Sequence, residues 1–330
     1  MKLSAQYNGK EIIFDIPDKN IQEILHIKPK KHIPIRIEYK GLKKHINDSR
    51  EILIIVNDHE RPTPTGRILK DIWGYLKDKE IKILIASGAH RPPNERKIKK
   101  ILGETYSKFR DKIEIHNAKD PNTNRYIGTT SLGNKIYVNK NVIEYEKIIV
   151  IGSVEPHYFA GYTGGRKFLL PGIAAYESIE RNHKLALNRN AQPLRLDGNP
   201  VHEEMMETLR MLNKEKDIYA IMTVLDENKE IVTLKAGNIN QTFKECVKTA
   251  EDMYKIKIKE KAEIVIAITK EPLNITLYQA QKALEHAKLA LKDNGIIILV
   301  AECREGIGPR NFYNLLTKFK RPEDIIKYAK

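Results

Sequence analysis

The sequence predicts an α/β protein made of two α/β domains with mostly parallel sheets and an active-site cleft between them. Apolar runs at 52–56, 81–86 and 147–151 alternate with helical stretches such as 65–77 and 94–102, and strands that alternate with helices in this way pack as a parallel sheet. A second such unit starts at Glu263-Ile-Val-Ile-Ala-Ile-Thr269 and passes through 276–292 to a further apolar run at 296–301. Length supplies the third observation, since 330 residues exceed the usual size of a single domain. The boundary is expected near residue 260, giving domains 1–260 and 261–330.

The elements follow in order. Tyr7-Asn-Gly-Lys10 between alternating segments predicts an N-terminal hairpin, because Asn-Gly supplies the two left-handed residues of a tight turn. The 52–56 run empties into Val56-Asn-Asp-His-Glu-Arg-Pro-Thr-Pro-Thr65, which puts Asp58 and Arg61 just past a strand's carboxyl end. Ile83-Leu-Ile-Ala-Ser-Gly-Ala-His-Arg-Pro-Pro93 does the same for His90. After 147–151 comes Glu155-Pro-His-Tyr-Phe-Ala-Gly-Tyr-Thr-Gly-Gly-Arg-Lys167, a glycine-rich turn leading into a helix that carries His183 sixteen residues beyond Lys167. Residues 217–235 read as a second hairpin around Asp226-Glu-Asn-Lys229, and 241–254 as a helix. In Leu277-Tyr-Gln-Ala-Gln-Lys282, residues Tyr278, Gln279 and Lys282 fall within about one helical turn, with Tyr278 and Lys282 on one face.

Composition narrows the function classes. The formal charge of +15 comes from 58 Lys+Arg against 43 Asp+Glu, spread in short runs such as Lys28-Pro-Lys-Lys31 and Lys97-Ile-Lys-Lys100. Such a balance suits nucleic acid, but no nucleic-acid motif or aromatic-basic interleaving accompanies it, so nucleic acid is not an expected partner. A thermophile's charged surface, or a cleft for anionic ligands, accounts for it equally well. Cys246 and Cys303 are isolated, and no signal peptide or membrane-spanning apolar run is present. A reducing, cytoplasmic setting and no membrane are expected.

Chemistry concentrates at 155–183. Gly164 and Gly165 let backbone approach a ligand closely and are read as cofactor-binding. Lys167 suits a nucleophile or a phosphate partner, and neutral imidazole is the commonest transition-metal ligand among side chains. The P-loop needs Gly-Lys-Ser/Thr, whereas Lys167 is preceded by Arg166 and followed by Phe168, so a nucleotide triphosphatase is excluded. Taken singly, Lys167 is as readily a phosphate contact, and His183 more often an ordinary helix-surface histidine; their joint spacing changes those odds. His26, His32, His45, His116, His202 and His286 are assigned no role. His59 lies inside the Asn-Asp-x-x-Arg element, where Asp58 and Arg61 are the better candidates.

On the Asn-Asp-x-x-Arg-Pro-Thr-Pro-Thr, Gly-x-His-Arg-Pro and Glu-Pro-His-x-x-Ala-Gly-x-x-Gly-Gly-x-Lys elements, the chain resembles the nickel-dependent lactate racemase family over nearly its whole length. The resemblance implies a nickel pincer nucleotide as cofactor, carried by Lys167 through a thioamide bond, with His183 binding nickel. It implies that His90 and His157 are the two acid/base histidines and that Asp58 and Arg61 are the substrate- and histidine-orienting pair. Gln279 and Lys282, with Tyr278 beside them, would reach the substrate from the other domain. Cofactor-synthesis proteins follow as expected partners. Family members continue beyond Tyr328-Ala-Lys330, so the C-terminal domain reads as shortened.

The residue types suit racemisation of a small 2-hydroxy acid, with lactate the family's namesake. The C–H proton of such an acid is very weakly acidic, so hydrogen leaves more easily as hydride to a cofactor, while a base takes the hydroxyl proton. Inversion needs one base for each orientation of the transient 2-keto acid, and histidine titrates in the right range. Arg61 and Lys282 would anchor the carboxylate, with Asp58 orienting a histidine. The competing readings are a non-catalytic cofactor-carrying relative and a basic nucleic-acid-binding protein; a mere carrier would need no acid/base histidine pair.

Overall fold

Runs of isoleucine, leucine and valine without polar alternation suit strands buried on both faces, and such strands form the centre of this computed structural model, which describes residues 1–27, 38–271 and 273–329. His32 and the basic run at 28–31 lie outside the described residues. The chain divides into two units, Met1–His26 with Ile256–Lys330, and Ile27–Lys255. The structure is α/β with a mostly parallel central sheet, as expected.

In the 27–255 unit, six strands pair in the order Ile231–Asn238, Asp217–Leu225, Lys147–Ser153, Glu51–Asn57, Glu80–Ala86, Ile113–Ile115. Only the first pair is antiparallel. Counted along the chain, the parallel strands therefore lie 3-2-1-4-5, and the direction of winding reverses between 51–57 and 147–153. In open α/β sheets ligands bind outside the carboxyl ends of the strands at such a reversal.

Alternation of side chains across the sheet produces two cores. Ile52, Ile54 and Val56 enter one with Ile83, Ile85, Ile149 and Ile151; Leu53 and Ile55 enter the other with Leu84, Ile148 and Val150. The first is covered by helix Thr65–Leu76 through Ile68, Leu69, Ile72 and Leu76. The second is covered by Pro200–Asn213 and Ile239–Tyr254, which contribute Met205, Leu209 and Phe243, Cys246, Met253. Asparagine starts three helices: Asn94, Asn199 and Asn238 each accept backbone N–H groups of the first turn. Leu69→Ala, at a fully buried position, is expected to lower unfolding free energy by about 2–5 kcal/mol in denaturant titration. Two histidines without an assigned role are core fixtures: His45 contacts Asp217 Oδ2 and Ile148 O at 3.2 Å each, and His116 Nε2 contacts Ala174 O at 2.9 Å.

In the other unit, Lys2–Tyr7 and Lys10–Asp15 form the expected hairpin, with Asn8 and Gly9 at φ +50° and +70°. Ala262–Ile268 pairs in parallel with Leu291–Val300. The single helix expected over 276–292 is instead split into Leu277–Ala280, Lys282–Ala287 and a 3-10 turn at Lys288–Ala290, and the following strand begins at 291. Pairing jumps from Ala262↔Leu291 to Ile264↔Ile296, so Asp293-Asn-Gly295 bulges out with Asn294 at φ +62°. Among the described residues no helix is long and apolar enough to cross a membrane.

Candidate active site

The loops that leave strands 51–57, 80–86 and 147–153 carry Asp58, His90 and the Glu155–Lys167 segment, all at the carboxyl side of the winding reversal. Asp58 is buried, with Oδ2 at 2.6 Å from His90 Nδ1 and Oδ1 accepting the Glu60 N–H at 3.2 Å. Burial alone would raise its pKa, but the hydrogen bond and charge of His90, with the charges of Arg61 and His59, hold the carboxyl below its ordinary value. An ionised Asp58 accepts, so the His90 ring proton belongs on Nδ1 and Nε2 keeps its lone pair. The His90 side chain is half exposed. Its turn is closed by the His90 N–H donating to Ser87 O at 2.9 Å, and the Ser87 hydroxyl donates to His116 O at 2.6 Å.

His157 sits in a miniature hairpin in which Pro156–His157 pairs with Gly161–Tyr162. The Ala160 N–H donates to its Nδ1 at 3.2 Å, which puts the proton of the neutral ring on Nε2. That Nε2 lies 3.5 Å from Lys167 Nζ. Lys167 follows from the 3-10 turn Gly165–Phe168, anchored from below by Arg166. The Arg166 guanidinium is fully buried, donates to Ala160 O at 2.6 Å and Gly164 O at 3.2 Å, and stacks over Phe243. Burial pushes its pKa down to about 9.

Gly164 and Gly165 have φ of +80° and +55°. A Cβ would stand 2.7 Å from Val154 Cγ2 at the first and 2.8 Å from Phe243 Cγ at the second. Packing of the protein against itself therefore already requires glycine here. Gly165→Ala is expected to cost about 1–3 kcal/mol from strain and overpacking, read as a lowered Tm.

His183, on helix Tyr176–Lys184, meets the Phe159 ring edge-on at 5.2 Å. Phe159 also meets His157 edge-on at 4.6 Å, and Lys167 Nζ lies 5.7 Å from its centroid. One aromatic ring thus touches three residues singled out from the sequence, although it was passed over there; an aromatic two residues after His157 in an otherwise polar and glycine-rich segment was the available signal. Burial, then the charges of Lys167 and His90, push the His183 pKa down to about 3, so its imidazole is neutral at physiological pH. Two further residues were missed: Glu155, which accepts from Arg61 Nη1 at 2.7 Å, and Lys97, whose Nζ lies 2.8 Å from His59 Nε2. Burial lowers the His59 pKa.

Tyr278, Gln279 and Lys282 lie in the other unit, where Lys282 Nζ donates to Gln279 Oε1 and Tyr278 packs edge-on against Phe312. Among the described residues no group of three or more His, Cys, Asp or Glu side chains is arranged to hold a metal ion.

His202 gives a pH test of stability. Burial, then Arg166 and Arg210, push its pKa to about 3, below the unfolded value near 6.5. The unfolded chain takes up the proton first, so this contribution is complete above about pH 6.5 and is lost progressively as pH falls toward the folded value. His202→Gln is expected to flatten the decline of Tm between about pH 7 and 4; an unchanged profile would assign that decline to other groups.

Comparison with known proteins supplies the family. Residues 7–194 match the lactate racemase N-terminal domain and residues 256–330 the lactate racemase C-terminal domain. The chain is 30% identical to a lactate racemase of Thermoanaerobacterium thermosaccharolyticum, over 98% of its own length and 80% of that protein. It is 31% identical to a lactate racemase of Lactiplantibacillus plantarum, over 87% of its own length and 68% of that protein. The solved structure of the T. thermosaccharolyticum lactate racemase apoprotein matches with a TM-score of 0.90 at 30% identity, covering 100% of this chain and 81% of the other. The chain therefore belongs to the lactate racemase family and is a racemase, an isomerase.

Proposed function

We propose that the chain racemises a small 2-hydroxy acid, with lactate the first substrate to try, using a nickel pincer nucleotide attached at Lys167. The observation that carries this reading is the pair of histidines set in opposite tautomers beside Lys167 and Asp58: His90 offers a lone pair at Nε2, and His157 offers a proton at Nε2. The donor set fits the group. Lys167 supplies an amine beside His157, and His183 supplies a neutral imidazole. With no three-residue protein cluster among the described residues, a metal on His183 would take its other donors from the bound group. When bound, that group supplies the hydride acceptor that a weakly acidic C–H requires.

The chain's own residues do the rest. Arg61 takes the substrate carboxylate through its planar fork. His90 Nε2 accepts the hydroxyl proton while Nδ1–H stays on Asp58, whose ionised carboxylate stabilises the imidazolium. His157 presents Nε2–H as a hydrogen-bond donor to a keto oxygen in the inverted orientation while Nδ1 accepts the Ala160 N–H; to hand a proton to that oxygen the ring must first be an imidazolium, with Nδ1 protonated in place of accepting from Ala160. Turnover in the other sense requires these proton positions to exchange.

Nickel tests the assignment directly. His183→Ala is expected to lower the nickel content of cofactor-loaded protein by roughly tenfold or more, with circular dichroism unchanged. Unchanged nickel would move the ligand elsewhere. A panel of 2-hydroxy acids, each started from a pure enantiomer, identifies the substrate, and failure of every member to racemise would overturn the proposed function.

A further inference from the structure

Arg61 is the residue proposed to meet a carboxylate, and a carboxylate already holds it. Its Nη1 donates to Glu155 Oε1 at 2.7 Å, with both side chains about a quarter exposed. The pair crosses the winding reversal, since Arg61 follows strand 51–57 and Glu155 follows strand 147–153. Glu155 is set on a fixed backbone: its N–H donates to Thr163 Oγ1 at 3.0 Å, and its carbonyl accepts the Thr163 N–H at 2.8 Å. Thr163 Oγ1 in turn donates to Ser153 O at 2.9 Å, so the end of the strand, the Glu155 main chain and the miniature hairpin form one hydrogen-bonded piece. The charge of Arg61 also helps hold the Asp58 carboxyl below its ordinary value.

A guanidinium has five donors in a rigid plane, so a partner on one Nη1 hydrogen leaves the remaining donors to a second ligand while fixing the plane in which they point. We propose that Glu155 is a positioning residue for the reaction: it orients the Arg61 fork so that its remaining donors meet the substrate carboxylate, and it ties that fork to the segment carrying His157. This rests on the reading of Arg61 as the carboxylate anchor. Because the substrate's carboxylate and hydroxyl share one carbon, an anchor turned out of plane also misdirects the hydroxyl from its base.

The test compares Glu155→Ala, Glu155→Gln and Arg61→Lys in cofactor-loaded protein, measuring KM and kcat from each enantiomer together with Tm. Glu155→Ala is expected to raise KM about tenfold or more, with Tm shifted by only a few degrees as for a partly exposed ion pair. Glu155→Gln keeps an oxygen acceptor for Nη1 and is expected to recover part of that loss. An unchanged or lowered KM in Glu155→Ala, or equal KM in the Ala and Gln variants, would overturn the proposal. Arg61→Lys separates the two ideas: if it raises KM while Glu155→Ala does not, the positioning role alone falls, and if Arg61→Lys leaves KM unchanged, the carboxylate-anchor reading falls with it.

Discussion

Lys167→Ala is expected to give a folded protein that carries no covalent adduct and whose racemisation falls to background. The side chain emerges from a 3-10 turn whose backbone is held by the inward-facing Arg166, so truncation at 167 removes an amine without emptying a core. Lys167 is half-buried and points past Phe159 toward His157, and no neighbouring lysine replaces it in the segment 155–183 short of Lys184. Lys167→Arg keeps the charge but not the primary amine and is expected to fail equally, which separates attachment from simple anion binding. Intact-mass and peptide analysis of protein made with the cofactor-synthesis machinery reads the adduct. An unmodified Lys167 in active protein would remove this assignment.

The second large effect is expected at the histidines. His90→Ala and His157→Ala should each lower racemisation by on the order of a hundredfold or more, because each removes a positioned acid or base. Asp58→Asn tests the tautomers more finely. An amide can donate to His90 Nδ1 and so move the ring proton to Nε2, leaving both histidines as donors and neither as a base. Its loss should approach that of His90→Ala while the fold persists. Since resting His90 and His157 hold their protons at opposite ring atoms, single-turnover reactions started from the two pure enantiomers should differ in their first cycle, and the difference should disappear in Asp58→Asn. Wild-type racemisation in either alanine variant would refute the two-base reading.

Much of this was legible before any coordinates. The 52–56, 81–86 and 147–151 runs could be recognised because strands buried on both faces leave no polar alternation, and Asn8-Gly9 because few dipeptides tolerate two left-handed residues in succession. Asp58, His90, His157, Lys167 and His183 stood out through the motifs that carry the family resemblance. Phe159 and Glu155 did not. An aromatic ring and a carboxylate are common, and their significance arises from what three-dimensional folding lays beside them: Phe159 from the miniature hairpin, and Glu155 from a strand that becomes a neighbour of 51–57 only through the crossover. The helix expected over 276–292 failed for a related reason, because the parallel pairing with 262–268 claimed residues 291–295 as strand and bulge, a non-local demand that helical periodicity does not reveal.

Arg166 bears on how the protein would respond to salt. The surplus of surface lysines and arginines is screened beyond about 8–10 Å at physiological ionic strength, so whatever pull it exerts on an anion fades as salt is added. The Arg166 guanidinium is sealed beneath the glycine turn, remains charged at neutral pH, and pairs with no carboxylate among the described residues. Counterions cannot crowd around it. The pull of this buried charge is therefore screened less by salt than that of the surface lysines and arginines, and it already falls on His202, whose imidazole it helps keep neutral.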